Sequence, residues 1–248
     1  MKICGFFNSR KNKKLSAKTF RNVFANMIIG CLLIGLFALT YAGGTLNASS
    51  TSTNEAIYHG NINSKNISLM INVYWGNEYL DSMLNTLKEK NVKTTFFVGG
   101  TWAEQYPELL RKIYDDGHEI ANHGYYHKDH QKITYEQNKQ EIENNHNLIK
   151  KLLNYDMKLF APPSGSYSQT TLDIAKELGY TTIMWTRDTI DWRDKDADLI
   201  YNRAIKNASG GDLILMHPTE KTAEALPRII ETLQTEGYTL TTVSECLQ

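Results

Sequence analysis

The chain predicts an α/β fold in which parallel strands, joined by helical crossovers, form a sheet or a barrel. Three observations carry the prediction. From Ile67 onward, short apolar runs alternate with apolar stripes at helical spacing. Residues 92–98 are a β-branched and aromatic run of the kind that parallel sheets bury on both faces. Polar and aromatic clusters recur just past the strands, the end at which parallel α/β folds bind ligands.

The elements come in order along the chain. A first strand spans 67–73, and Tyr79, Leu80, Met83, Leu84 and Leu87 make the apolar stripe of the helix after it. The second strand is 92–98. Pro107 opens the next helix at its first turn, Leu109, Leu110 and Ile113 line it, and Gly117 ends it. Residues 118–121 then form a short third strand. Thr134 with Gln137 is a capping box for a long helix reaching about Asn154. A short strand at 159–162 precedes a helix capped by Ser168 and ended by Gly179, and 180–185 reads as another strand. A helix near 196–208 leads through Gly210-Gly211 into a strand at 212–216, with His217 directly after it. The last helix carries Leu226, Ile229, Ile230 and Leu233 and stops at Gly237, before a final strand.

Ahead of this alternation the composition changes. No acid occurs before Glu55, whereas Lys2, Arg10, Lys11, Lys13, Lys14, Lys18 and Arg21 are basic. Those seven of 27 bases leave 20 against 27 acids in the remainder, a net charge of −7. A basic arm leading into the uncharged apolar run 27–42 reads as an export signal or a single membrane anchor, with the rest of the chain outside the cytoplasm. Ala42-Gly43-Gly44 supplies small residues suited to a signal peptidase. Residues 43–66, rich in Ser, Thr, Asn and Gly, read as a flexible linker. The expected organisation is therefore 1–42 arm and signal or anchor, 43–66 linker, and 67–248 domain. Of the three cysteines only Cys246 falls in that domain, which must hold together through its core without internal disulfides. The net acidic remainder has no basic stripe for nucleic acid.

The chemistry gathers at the strand ends. His123 and His127 lie four residues apart, a spacing that lets two imidazoles point the same way, as half of a tetrahedral zinc site or as two polar loop residues. Asn72-Val73-Tyr74-Trp75-Gly76, the Pro162–Tyr167 stretch, Asp191-Trp192 and His217-Pro218 complete the rim. His217 also reads as a residue capping its own strand. Asp191-Trp192 also reads as a turn with a packed aromatic. Tyr74, Trp75, Tyr125, Tyr126, Tyr167 and Trp192 suit either a groove where sugar rings stack or the core.

Thr95-Phe96-Phe97-Val98, Gly117-His118-Glu119-Ile120-Ala121-Asn122-His123, Pro162-Pro163-Ser164-Gly165, Asp191-Trp192 and Leu213-Ile214-Leu215-Met216-His217 resemble, in order, the motifs of the NodB-type polysaccharide deacetylases, carbohydrate esterase family 4. The nearest likeness is to the sporulation-associated members of Gram-positive spore formers. The resemblance implies a single-domain distorted (β/α) barrel and metal-dependent hydrolysis of N-acetyl groups on peptidoglycan or a related N-acetylglucosamine glycan. It implies a metal, Zn²⁺ or another divalent ion, on His123 and His127. His217 would be the general acid, tuned by Asp191, and the Ser164 backbone N–H the oxyanion donor. Leu215 and Trp192 would lie near the acetyl methyl, with Trp75 and Tyr167 on the substrate side.

The first motif departs from that pattern. Asn72 stands where the family has its base Asp, Val73 where it has the metal Asp, and Ala161 where it has the Arg that orients the base. The losses are coupled, because a buried Arg without its carboxylate would be an uncompensated charge. An amide cannot take a proton near neutral pH. Two histidines leave a metal short of its usual three protein ligands, so the ion would be weakly bound or absent. This leaves two function classes: an extracytoplasmic deacetylase with impaired catalysis, or an inactive relative that binds envelope glycan or a partner during sporulation or wall maturation.

Overall fold

The computed structural model describes residues 17–44 and 54–248. They fall in two compact units, Met1–Thr53 and Asn54–Gln248. In the first, Ala17–Gly44 form one helix, α1, which takes in the apolar run and ends on Ala42-Gly43-Gly44. Among the described residues no helix is long and apolar enough to cross a membrane. Most of the basic arm and residues 45–53 lie outside the described residues.

The second unit is built on β1 (Asn66–Val73), the strand on which the sheet is centred. It pairs in parallel with β2 (Thr95–Val98), β7 (Leu213–Met216) and β8 (Thr239–Thr241). The path then runs outward through β3 (Glu119–Asn122), β4 (Leu159–Phe160) and β5 (Thr181–Thr182) on one side and β6 (Arg187–Asp188) on the other. Every pairing is parallel. The crossover helices are α2 (Asn77–Glu89), α3 (Gly100–Gln105), α4 (Pro107–Asp115), α5 (Tyr135–Leu153), α6 (Gln169–Glu177), α7 (Ala197–Ile205) and α8 (Glu220–Thr235). Curled and covered by these helices, the sheet forms the distorted (β/α) barrel expected.

Strand alternation sorts the core into two layers. Ile67, Leu69, Ile71 and Val73 of β1 face the helices, with Phe96, Val98, Ile120, Ile214 and Met216 of the neighbouring strands. Met70 faces the other way, into an inner layer with Phe97, Ala121, Leu159, Ala161 and Leu213. The short helix α9 (Val243–Cys246) adds Val243 and Cys246 to the inner layer. Asn72 comes after Met70 on the inner face.

Several boundaries differ from the sequence reading, each for a local reason. The second strand starts at Thr95 because the Val92 N–H turns back to the Leu87 carbonyl at 2.8 Å and closes α2. β4 stops at Phe160 because Pro162 and Pro163 have no N–H to pair. The strand read at 180–185 keeps only Thr181–Thr182, and Ile183 continues as a single parallel bridge to Ile57. The flexible linker read at 43–66 is packed from Asn54 onward. Gly60 N–H bonds the Gly211 carbonyl at 2.7 Å and Asn61 N–H the Cys246 carbonyl at 2.8 Å. A Cβ on Gly60 would stand 2.2 Å from that same Cys246 oxygen, so only glycine allows the approach. A polar stretch with little to bury is held here by backbone pairing.

Candidate active site

A cavity of about 380 Å³ opens at the C-terminal ends of the strands, lined by Asn72, Tyr74, Trp75, His123, His127, Ser164, Gly165, Trp185, Asp188, Trp192, Leu215 and His217. It brings together the residues read from β1, β3, the Pro162–Tyr167 loop, β7 and the Asp191-Trp192 stretch. Tyr167 stands outside it, and its hydroxyl pairs with that of Tyr58 at 2.8 Å. Asp191 lies behind the wall. Val73 and Ala161 are fully buried, Val73 in the helix-facing layer and Ala161 in the inner one.

The two histidines are placed by a braced loop. His123 comes directly after β3, and His127 adopts a left-handed conformation, φ 56°, that turns it back toward His123. Their rings lie 5.0 Å apart at 71°. His123 Nδ1 is 2.8 Å from the Ala161 carbonyl, which only accepts, so the proton is on Nδ1 and the lone pair on Nε2. Burial, reinforced by His127, holds the His123 pKa well below its ordinary value. His127 is lowered by burial and by His217. Both rings are held in the neutral form.

The brace is a buried polar stripe on α5 that the sequence reading missed. Asn138, Glu141 and Asn145 are buried at spacings of three and four, one face of a helix. Asn138 bonds His130 through Nδ1 at 2.6 Å and through its carbonyl at 3.0 Å. Glu141 Oε2 accepts the N–H groups of Tyr125 and Tyr126 at 3.1 and 2.8 Å. Asn145 donates to the Val98 carbonyl and to Asn122 Oδ1, which itself accepts the Gly124 N–H. The signal was legible, since three polar residues at i, i+3 and i+7 on an otherwise apolar face ask for buried partners.

Opposite the pair, His217 Nδ1 donates to Asp191 Oδ1 at 2.8 Å. Asp191 Oδ2 accepts the His217 N–H and the Thr222 hydroxyl, both at 2.6 Å. Trp75 stacks on the His217 ring, nearly parallel at 5.8 Å. Asp191 is preceded by a strained residue, Ile190 at φ 55°, rare for a β-branched side chain. The strain is held by Asp188, which accepts the Ile190 N–H at 2.7 Å, and by Arg203, which bonds the Thr189 carbonyl at 2.9 Å. Trp185 and Asp188 are the lining residues missed from sequence, although Asp188 precedes Asp191 by only three. On the remaining wall Ser164 is left-handed, φ 56°, and its N–H bonds nothing among the described residues.

The donor set does not fit a catalytic divalent metal. Among the described residues no three of His, Cys, Asp and Glu come together to hold one. Val73 packs with the outer core, and Asn72 brings an amide whose Oδ1 is sealed from solvent without a partner. The acids and imidazole nearest in sequence as stand-ins are engaged elsewhere. His130 is buried against Asn138, Asp129 bonds Ser166 and Lys132, and Glu78 lies on a separate cavity.

The sequence profile of the polysaccharide deacetylase family matches residues 59–183. The chain belongs to that family. Among relatives of the polysaccharide deacetylase family, it is 42% identical over 193 residues to the uncharacterized protein YlxY of Bacillus subtilis, covering 78% of this chain and 60% of YlxY. It is 32% identical over 211 residues to the peptidoglycan-N-acetylmuramic acid deacetylase PdaA of the same organism, covering 83% of this chain and 80% of PdaA. The chain thus spans less than two thirds of YlxY, and 64% of a peptidoglycan-N-acetylglucosamine deacetylase of Bacillus cereus. In structure it resembles a CE4 family pseudoenzyme of Bacillus anthracis, with a TM-score of 0.77 at 36% identity over 79% of this chain and 69% of that one. A mutant of that pseudoenzyme with restored enzymatic activity has also been solved.

Proposed function

We propose that this polysaccharide deacetylase relative acts at N-acetylated cell-wall glycan outside the cytoplasm, holding the glycan in the cavity without hydrolysing its acetyl groups. The observation that carries this is Asn72, an amide on the inner face of β1, at the position that the sequence resemblance assigns to the family's base. It stands in a cavity that otherwise keeps its polar and apolar walls. Without a carboxylate there, no group facing His123 and His127 from β1 takes a proton from water near neutral pH, a role typically worth about 10²–10⁴ in rate.

The rest of the cavity suits an intact acetamido group. The free Ser164 N–H is a donor for its carbonyl oxygen, while Leu215 and Trp192 are an apolar wall for its methyl. The exposed faces of Trp75 and Trp192 suit sugar rings. The peptidoglycan substrates named for the relatives in Bacillus support the choice of glycan. The basic arm and apolar run support delivery to the outer side of the membrane, by export or by an anchor. His123 and His127 would hold a divalent ion weakly at most.

A second reading, a deacetylase of low activity, is favoured by the His217–Asp191 pair, which is positioned to give a proton to a leaving amine. One experiment separates the two. Metal content, binding and acetate release are measured on the purified protein with N-acetylglucosamine oligomers and wall glycan. Binding without acetate release supports the first reading, turnover supports the second, and absence of both sinks the pair.

A further inference from the structure

Beside the first cavity lies a second, of about 340 Å³, and the two share Trp75 and Trp192 as a common wall. Asp191 lines the second while its partner His217 lines the first, so the dyad stands between them. Both tryptophans are open at this ridge, 43% and 57% exposed. A ligand seated in the first cavity and longer than one sugar can therefore cross the ridge into the second.

The second cavity differs in chemistry from the first. Its walls carry charge of both signs, and most of that charge is already engaged. Asp194 is paired with Arg193 and Arg203, and Lys221 with Glu220 and Glu224. Glu78 and Lys195 are left, both exposed and neither in an ion pair among the described residues. An uncommitted carboxylate and an uncommitted ammonium over aromatic walls match a substituent that itself carries amine and carboxylate groups. A plain N-acetylglucosamine chain carries neither. The short peptide borne by alternate sugars of peptidoglycan carries both.

We infer that the second cavity seats the peptide substituent of the sugar next to the one held in the first, through Glu78 and Lys195. The chain thereby selects peptide-bearing wall glycan over bare glycan. This rests on the glycan-binding reading of the first cavity and adds a site to it.

The test is calorimetric titration of the full chain with two sets of wall-glycan oligomers of equal length, one carrying its peptides and one stripped of them by an amidase. The peptide-bearing set is expected to bind about three- to tenfold more tightly, the yield of two exposed charge contacts. The preference should shrink as salt is raised. In the double variant Glu78→Gln, Lys195→Met the ratio of the two affinities should fall to about one. Both are surface side chains, so the fold should be unaffected, and circular dichroism checks that. Equal or weaker binding of the peptide-bearing set overturns this inference and leaves the glycan reading standing. A preference that survives in the double variant also overturns it, since the peptide then sits elsewhere. Binding of neither set overturns both.

Discussion

The Nδ1 of His123 donates to the backbone carbonyl of Ala161 at 2.8 Å, linking one of the two facing histidines to the position where the sequence resemblance implies an arginine in the family. Because the link uses the main chain, it does not depend on the side chain at 161. The ring stays oriented, with its lone pair on Nε2, although the residue at 161 brings only a methyl group. Two neutral imidazoles should therefore retain a weak, substoichiometric affinity for Zn²⁺, read as metal content after dialysis. His123→Ala should abolish it. Both histidines are held below their ordinary pKa, so proton competition should release the ion only at a pH below the usual imidazole range. Zinc retained equally by the His123→Ala, His127→Ala double variant would show that the pair is not the ligand set.

Installing the residues that the sequence resemblance implies for the family should be cooperative. Asn72→Asp alone should change deacetylation little, since no arginine stands at 161 to orient the new carboxylate. Asn72→Asp with Val73→Asp and Ala161→Arg should raise acetate release by about 10² or more. The three should be strongly non-additive, as groups acting in one unit are. Val73 is fully buried in the helix-facing layer, so Val73→Asp alone should also lower stability by about 2 kcal/mol or more. If the natural chain already releases acetate as fast as the triple variant, the degenerate first motif is not a lesion.

Glu141 should matter to the histidine loop without touching a ligand. Its Oε2 accepts two backbone N–H groups from a 2% exposed side chain. Glu141→Ala should destabilise the domain by about 2–4 kcal/mol in urea unfolding and weaken glycan binding. Glu141→Gln keeps an acceptor oxygen and should recover most of the stability. Identical losses in the two variants would mean that the side chain fills space rather than holding the loop.

Acid should unfold the domain through histidines that bury uncharged. Burial, first of all causes, depresses both His118 and His130 from 6.5 to about 4. The His118 Nδ1 accepts the Thr94 N–H at 3.2 Å, a bond that protonation at that nitrogen would break. A group whose folded pKa is depressed loses its contribution as pH falls from the unfolded value toward the folded one. The window is therefore about pH 6.5 down to 4, with roughly 3 kcal/mol at stake per histidine. His118→Gln should flatten that part of the stability–pH curve, and an unchanged slope would refute the assignment.

Much of this protein was legible in one dimension. The alternation of strand and helix was, because a parallel sheet needs apolar runs and crossovers that cannot be disguised. Caps were as well, since Thr134 and Ser168 must satisfy local backbone donors whatever surrounds them. The strand-end residues His123, His127 and His217 could be listed from spacing, and the resemblance to the family's motifs set Asn72, Val73 and Ala161 apart as expected departures.

Tertiary structure decided what depends on partners distant in sequence. Short strands such as β6 and the packing of residues 54–66 arise from pairing with edges that the local sequence does not announce. Whether Val73 faces the cavity or the helices was settled by how β1 sits in the curled sheet. Glu141 and Asp188 acquired their roles only when folding set them against loops whose backbone groups needed an acceptor. The second cavity exists because Trp75 and Trp192, more than a hundred residues apart, meet over one ridge. Period and propensity act over a few residues and can be read in order, whereas burial, partnered charge and cavities are properties of the surroundings that folding assembles.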